Sequence, residues 1–203
     1  FPEGRHVQAL HIYQLLPKSE THVANQPRLG YANAESARMF LGSVPVEEDG
    51  SARFLAPARK PLAFQAVDEQ GKAVQGMRSA VYLQPGEHRG CIGCHESPRH
   101  SANVAERKPA AFGRPPSKIT PGPAGSGPWS FKRMVQPILT AHCARCHDGE
   151  GDARPRLAET PEETFTEAYF ALKPYVRWYE WGGESISVIT TRPGEMPSDL
   201  SPL

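Results

Sequence analysis

The first 86 positions follow the short hydrophobic period of β-strands. Runs rich in β-branched and aromatic residues alternate with turn signals such as Glu48-Asp49-Gly50. This pattern predicts strands over residues 6–16, 38–46, 52–55, 62–67 and 73–83. Their close spacing favours antiparallel pairing, so we predict a small antiparallel β-sandwich over residues 1–86. The alanine-rich start of residues 34–40 is also compatible with a helical turn.

A longer period begins after residue 128. Phe131, Val135, Ile138 and Leu139 recur at helical spacing behind Ser130, a candidate N-cap. Pro137 interrupts this pattern, so the predicted helix is short or kinked. A second helix is predicted over residues 161–172, capped by Thr160. The aromatic residues from Tyr169 to Trp181 suit either ordinary core packing or the wall of a cofactor pocket.

Composition limits the class of protein. The 203 residues include 21 prolines and 18 glycines, and 38% are hydrophobic, which favours a loop-rich folded chain over a disordered one. The 23 basic and 22 acidic residues are nearly balanced, so neither nucleic acid nor an anionic membrane is expected as a partner. No apolar run reaches the roughly 18 to 20 residues of a transmembrane helix.

Two five-residue motifs carry the candidate chemistry. CIGCH occupies residues 91–95 and CARCH occupies residues 143–147, and together they contain all four cysteines of the chain. Two thiols at this spacing can each form a thioether with one porphyrin vinyl group, and the following histidine then lies under the iron. We therefore predict two covalently bound haem c groups. Their attachment residues are Cys91, Cys94, Cys143 and Cys146, and the proximal iron ligands are His95 and His147.

Two alternatives use the same residue types. A Cys-x-x-Cys pair also occurs in zinc sites and in dithiol redox proteins. However, 48 residues separate Cys94 from Cys143, whereas a zinc ribbon usually has about 15 to 20 between its pairs. The histidine after each motif favours haem over both alternatives.

The second axial ligand of each iron decides between electron transfer and chemistry at the metal. Met196 is the candidate for the second haem, because glycine and proline surround it and no histidine follows His147. Three histidines are candidates for the first haem: His11, His100 and His142. For each of these four residues, an ordinary role at the surface, in hydrogen bonding or in packing is the default interpretation.

With these assignments, an α+β organisation is expected. Residues 1–86 form the antiparallel β domain, and residues 87–107 form the first haem-attachment segment. Residues 108–128 contain six prolines and several glycines, which is typical of a semi-rigid linker. Residues 129–203 form a mainly helical, loop-rich module like a cytochrome c.

Several segments resemble the hydrazine synthase alpha subunit and its wider family of dihaem proteins. In the first half they are QLLPK (14–18), LGSVPVEEDGSA (41–52), FQA (64–66), QGMRS (75–79) and YLQPGE (82–87), followed by the first haem motif. Residues 129–141 and ITTRPGE (189–195) are similar to that family's C-terminal haem domain.

The resemblance implies a reactive first haem and a six-coordinate second haem for electron transfer, whose distal histidine lies beyond the Arg-Pro-Gly stretch. In hydrazine synthase the histidine of the first motif binds zinc, and a tyrosine four residues later binds the iron. Arg99 stands at that position here. We therefore do not carry hydrazine synthesis over to this chain, and we interpret His95 as an ordinary iron ligand.

The sequence thus predicts a dihaem c-type cytochrome that passes electrons between its haems and redox partner proteins. The alternative is a haem enzyme acting on a small nitrogen compound or peroxide at an open first haem. Homo- or hetero-oligomers are compatible with either function. Because haem is attached to such motifs outside the cytoplasmic membrane, we expect a periplasmic or extracellular location, with any signal peptide upstream of Phe1.

Overall fold

The computed structural model describes residues 6–17, 36–77, 79–92, 108–147, 155–159 and 165–175. The chain divides into two units. In the described part, the β unit comprises residues 6–17, 38–77, 79–92 and 108–127. The helical unit comprises residues 128–147, 155–159 and 165–175.

One antiparallel sheet organises the β unit. Its central strand β1 (Ala9–Leu15) pairs with β2 (Arg38–Pro45) on one side and with β3 (Pro61–Val67) on the other. The short strands β4 (Ala73–Gly76) and β5 (Val81–Tyr82) pair with successive parts of β3. Strand β6 (Gly127–Pro128) lies beside β2, so the order is β4-β3-β1-β2-β6.

The predicted antiparallel β structure is confirmed, whereas the second layer of a sandwich is not found among the described residues. All six strands of the described residues belong to one sheet, in which β1 is paired along both of its edges. The run predicted as a strand at residues 52–55 contributes only an isolated bridge between Phe54 and Ser117. The run at residues 73–83 is divided into β4 and β5. Residues 36–37 precede β2 without helical structure.

The buried positions of β1 and β3 come in adjacent pairs, such as Ile12-Tyr13 and Leu62-Ala63, so side chains on both faces of the sheet are covered. Ile12, Val44 and Leu62 are at most 1% exposed. Burying an aliphatic side chain of this size stabilises the fold by roughly 1.5–3 kcal/mol. Tyr13 is also buried, and its hydroxyl donates a hydrogen bond to Gln65 Oε1 at 3.1 Å, so its polar end is satisfied.

The proline- and glycine-rich stretch adds backbone pairing to this unit. A 3-10 helix covers Ala110–Gly113. Beyond it, Ser117 N donates to Arg53 O and Ser117 O accepts from Leu55 N, both at 2.9 Å. Residues 110–127 thus lie against the sheet instead of spanning open space.

The helical unit begins with a π-helical turn, Phe131–Val135, which continues into α1 (Gln136–His142). Pro137 lies in the first turn of α1, where its missing N–H leaves no helical hydrogen bond unmade. Helix α2 covers Glu167–Leu172. A small apolar core consists of Leu139, Leu157, Ala168 and Leu172.

The second predicted helix begins later than expected. Phe165 and Thr166 are non-helical, and the Thr166 hydroxyl accepts a hydrogen bond from Tyr169 N at 3.3 Å. Thr166 therefore caps α2, while Thr160 lies outside the described residues. None of the helices in the described ranges is long and apolar enough to cross a membrane.

Candidate functional site

The second cysteine motif lies in a tight turn at the end of α1. Cys143 N donates to Leu139 O at 2.8 Å, which continues the helical pattern by one residue. Cys146 N and His147 N both donate to Cys143 O, at 3.1 and 3.0 Å. The last carbonyl groups of a helix have no partners within the helix. They accept hydrogen bonds from the N–H groups that follow, and this forms the turn. It places the two thiols, three positions apart, and the imidazole that follows them within one turn.

The ring of His147 has a defined orientation. Its Nδ1 lies 3.1 Å from the carbonyl oxygen of Pro155. A carbonyl oxygen only accepts hydrogen bonds, so Nδ1 carries the proton of the neutral ring. The lone pair is then on Nε2, the atom that would bind a metal. The main chain also connects the two segments, since Leu157 N donates to His147 O at 2.8 Å.

The motif's side chains are accessible for covalent attachment. Cys143 and His147 are partly buried and Cys146 is exposed. Both thiols are free of disulfide bonds. Two thiols that form no disulfide, beside a histidine with its Nε2 lone pair available, fit the donor set that haem c requires. In the described part of the chain, no three His, Cys, Asp or Glu side chains are grouped as a metal cage.

Sequence reasoning missed four residues of this site. Pro155 and Leu157 form hydrogen bonds with His147. The side chain of Gln136 binds the Leu157 carbonyl, and the Thr166 hydroxyl binds Gln136. The sequence signal for the first pair is limited to a proline that follows the acidic, glycine-rich stretch after the motif. Gln136 and Thr166 are 30 residues apart, so their pairing has no local signature.

The first motif begins on an exposed segment of the β unit. Cys91 is exposed, and Cys94 and His95 lie outside the described residues. Before it, Glu87 accepts hydrogen bonds from Gln84 N at 2.8 Å and from the Arg89 guanidinium at 2.6 and 3.0 Å. These bonds lower the pKa of Glu87, and the same ion pair raises the pKa of Arg89.

The segment after the first motif also returns to the β unit. Ala110 N donates to Asp49 Oδ2 at 2.7 Å, and Ala111 N donates to Ser51 Oγ at 3.0 Å. The pKa of Asp49 is lowered, chiefly by the backbone hydrogen bond from Ala110. The polypeptide between Arg89 and Ala110 is thus fixed to the same unit at both ends.

The four candidate distal ligands are distributed as follows. His11 lies on β1, edge-on to the Phe40 ring at 5.1 Å between centroids, and burial lowers its pKa. His142 is the exposed last residue of α1. His100 and Met196 lie outside the described residues, as does Arg99.

Part of the aromatic concentration packs within the helical unit. Tyr169 stacks on Phe165 at 4.7 Å between ring centroids and meets Phe131 edge-on at 5.3 Å. Phe170 is in edge contact with Tyr169 at 5.5 Å, yet it is half exposed. The described rings therefore pack on one another, with one face of the group open to solvent.

Residues 6–96 match the family model described as the hydrazine synthase alpha subunit middle domain. Among solved structures, the chain is similar to Kuenenia stuttgartiensis hydrazine synthase, with a TM-score of 0.60 and 21% sequence identity. That match covers 82% of this chain and 29% of the other, so the chain spans under a third of that protein's length. No curated protein matches the chain. The family match and the shared fold relate this chain, through its residues 6–96, to the hydrazine synthase alpha-like family.

Proposed function

We propose that this chain is a dihaem c-type cytochrome that transfers electrons between its two haems and redox partner proteins. One haem is attached at Cys91 and Cys94 and the other at Cys143 and Cys146. His95 and His147 are the proximal ligands. The observation that carries the proposal is the Nδ1 contact of His147 with the Pro155 carbonyl, since His147 ends a turn whose two thiols form no disulfide.

The residues of the second motif have different roles in binding the haem. Cys143 and Cys146 would hold the haem through one thioether bond each to its two vinyl groups. His147 presents Nε2, and the Pro155 carbonyl holds the proton at Nδ1 and makes the ring a stronger donor. Haem supplies a one-electron iron couple whose potential depends on its ligands, hydrogen bonds and burial.

The second candidate function is a haem enzyme acting on a small nitrogen compound or peroxide at an open first haem. The observation that favours it is the extent of the family match, which includes the whole first motif. Arg99 in place of the family's tyrosine separates this candidate from hydrazine synthesis itself. In either case we infer partner proteins or other subunits, since the family model describes one domain of a subunit. A periplasmic or extracellular location follows from where such haems are attached.

Haem loading tests the proposal directly. The chain is expressed in the periplasm of a bacterium with a c-type haem attachment system, and intact mass and reduced absorption spectra are recorded. We expect a mass increase of two haems and a sharp reduced α band. The double variants Cys91→Ser/Cys94→Ser and Cys143→Ser/Cys146→Ser should each retain one haem. A wild-type chain with bound zinc or an internal disulfide and no haem would overturn the proposal.

Spectroscopy separates the two candidate functions. Electron transfer predicts low-spin signals from both haems in electron paramagnetic resonance, and spectra that nitric oxide and peroxide leave unchanged. A predominantly high-spin first haem that binds nitric oxide, hydroxylamine or peroxide would favour the enzyme. The Cys143→Ser/Cys146→Ser variant assigns the signal to the first motif.

A further inference from the structure

A buried polar pair lies behind the segment that orients His147. Gln136, in the first turn of α1, and Thr166, the N-cap of α2, are both 0% exposed. The Thr166 hydroxyl donates to Gln136 Oε1 at 3.0 Å. Gln136 Nε2 donates to the carbonyl oxygen of Leu157 at 2.9 Å. All of these groups belong to the helical unit.

Each hydrogen bond in this chain constrains the next. Thr166 Oγ accepts from Tyr169 N at 3.3 Å, so its proton is directed to Gln136. That interaction orients the amide, because Oε1 must face the hydroxyl and Nε2 must then face Leu157. Leu157 is therefore held on both sides, by Gln136 at its carbonyl and by the His147 carbonyl at its N–H. Pro155, two residues earlier, contacts the His147 ring.

The polar pair has structural roles, because Thr166 caps α2 and Gln136 pairs with the Leu157 carbonyl. Burying an amide and a hydroxyl costs free energy unless every group is paired. Here the hydrogen bonds also have a direction, since one of them is made to a single backbone carbonyl two residues from the contact with the His147 ring. An apolar pair would not supply this directed hydrogen bond.

We propose that Gln136 and Thr166 are positioning residues that, through residues 155–157, fix the tautomer and ring orientation of His147. The effect on the second haem rests on the function proposed above, whereas the effect on the imidazole does not. Weakening the Nδ1 hydrogen bond makes Nε2 a poorer donor and favours the ferrous over the ferric ion. Loss of the pair therefore raises the reduction potential of the second haem.

Two matched pairs of variants test the proposal. Gln136→Leu removes both hydrogen bonds with little change of volume. Its control is Thr140→Val, which removes only the 3.5 Å contact of the same Nε2 with the hydroxyl of Thr140. Thr166→Val removes the hydroxyl, and Thr166→Ser restores it. We expect Gln136→Leu and Thr166→Val to increase the exchange rate of the Leu157 amide. In the Cys143→Ser/Cys146→Ser background, where no haem iron bonds to Nε2, they should also mix the His147 ring tautomers in ¹⁵N spectra. Thr140→Val and Thr166→Ser should resemble wild type.

The potential of the second haem is the further readout. The two disruptive variants should shift the ferric-to-ferrous equilibrium toward the ferrous state by up to about tenfold. This raises the potential by up to about 59 mV for one electron. The first haem should be unaffected. Reduced thermal stability with an unchanged tautomer, amide exchange and potential would overturn the positioning role. If the wild-type chain carries no haem, the proposed function fails, and the tautomer and exchange data on that chain still decide the role of the pair.

Discussion

Ser43 and Thr120 exchange two backbone hydrogen bonds, with N···O distances of 2.8 and 2.9 Å. This bridge covers the outer edge of β2 with a segment from the proline- and glycine-rich stretch. The approach requires glycine next to Ser43. A Cβ built at Gly42 would lie 2.2 Å from Thr120 O, and Gly42 has φ +141°, a conformation that other residues adopt only with strain.

We predict that Gly42→Ala destabilises the β unit by more than about 2 kcal/mol, since it adds a backbone clash to the strain of a positive φ. Gly50→Ala is the matched control. Gly50 also has positive φ (+79°), but nothing lies within 4 Å of its Cβ position, so only the conformational cost of about 1–2 kcal/mol applies. Urea unfolding measures both. Equal losses in the two variants would contradict the close approach of Thr120.

The pH dependence of stability should report on His11. Burial lowers its pKa, so the unfolded chain, with an ordinary histidine pKa of about 6.5, takes up the proton first as the pH falls. The stabilisation from neutral His11 is therefore complete above about pH 6.5 and is lost progressively below it. Urea unfolding from pH 5 to 8 should give a shallower dependence for His11→Gln than for wild type.

The control for this measurement is His88→Gln, at an exposed position of the same unit. It should retain the wild-type slope. If His11→Gln has the wild-type slope as well, the pH dependence does not arise from His11.

The strands were predictable where a local pattern determines them. The runs at residues 6–16, 38–46 and 62–67 predict β1, β2 and β3 to within a few residues, because each is rich in strand-forming residues and is bounded by turn signals. The pairing of residues 117–120 with the sheet was not predictable. It depends on backbone hydrogen bonds and on the close approach of Thr120 to Gly42, 78 residues earlier in the chain. No side-chain period marks this contact.

The candidate site shows the same division. Cys143, Cys146 and His147 are predicted from spacing alone, because haem attachment requires two cysteines three positions apart with a histidine directly after the second. Thr166 was not predicted as the cap of α2, since Thr160 stands at an equally suitable place before a helix-like run. Gln136 resembles any polar residue of an amphipathic helix, and only the fold shows that it is completely buried.

Asp49 should hold the returning segment after the first motif. We expect Asp49→Ala to increase amide exchange at Ala110 and Ser51, because both N–H groups donate to this carboxylate. Glu48→Ala, at the exposed neighbouring position, is the control and should leave both rates unchanged. The pKa of Asp49 is lowered by these hydrogen bonds, so in wild type the protection should be complete at neutral pH and decrease as the carboxylate is protonated at acid pH.

The apolar side chain of Leu157 can be separated from its backbone hydrogen bonds. Leu157 is 5% exposed and packs with Leu139, Ala168 and Leu172. Leu157→Ala should destabilise the helical unit by about 2–5 kcal/mol, because it removes buried methyl groups and leaves a cavity. Leu55→Ala, at a position 57% exposed, should change stability by less than about 0.5 kcal/mol.

At temperatures where Leu157→Ala remains folded, the His147 tautomer should be that of wild type, because alanine retains the N–H and carbonyl groups that residue 157 contributes. Chemical denaturation and ¹⁵N spectra of the histidine rings measure the two effects separately. A mixed tautomer in this variant would show that core packing at residue 157, and not the hydrogen bond from Gln136, orients the imidazole.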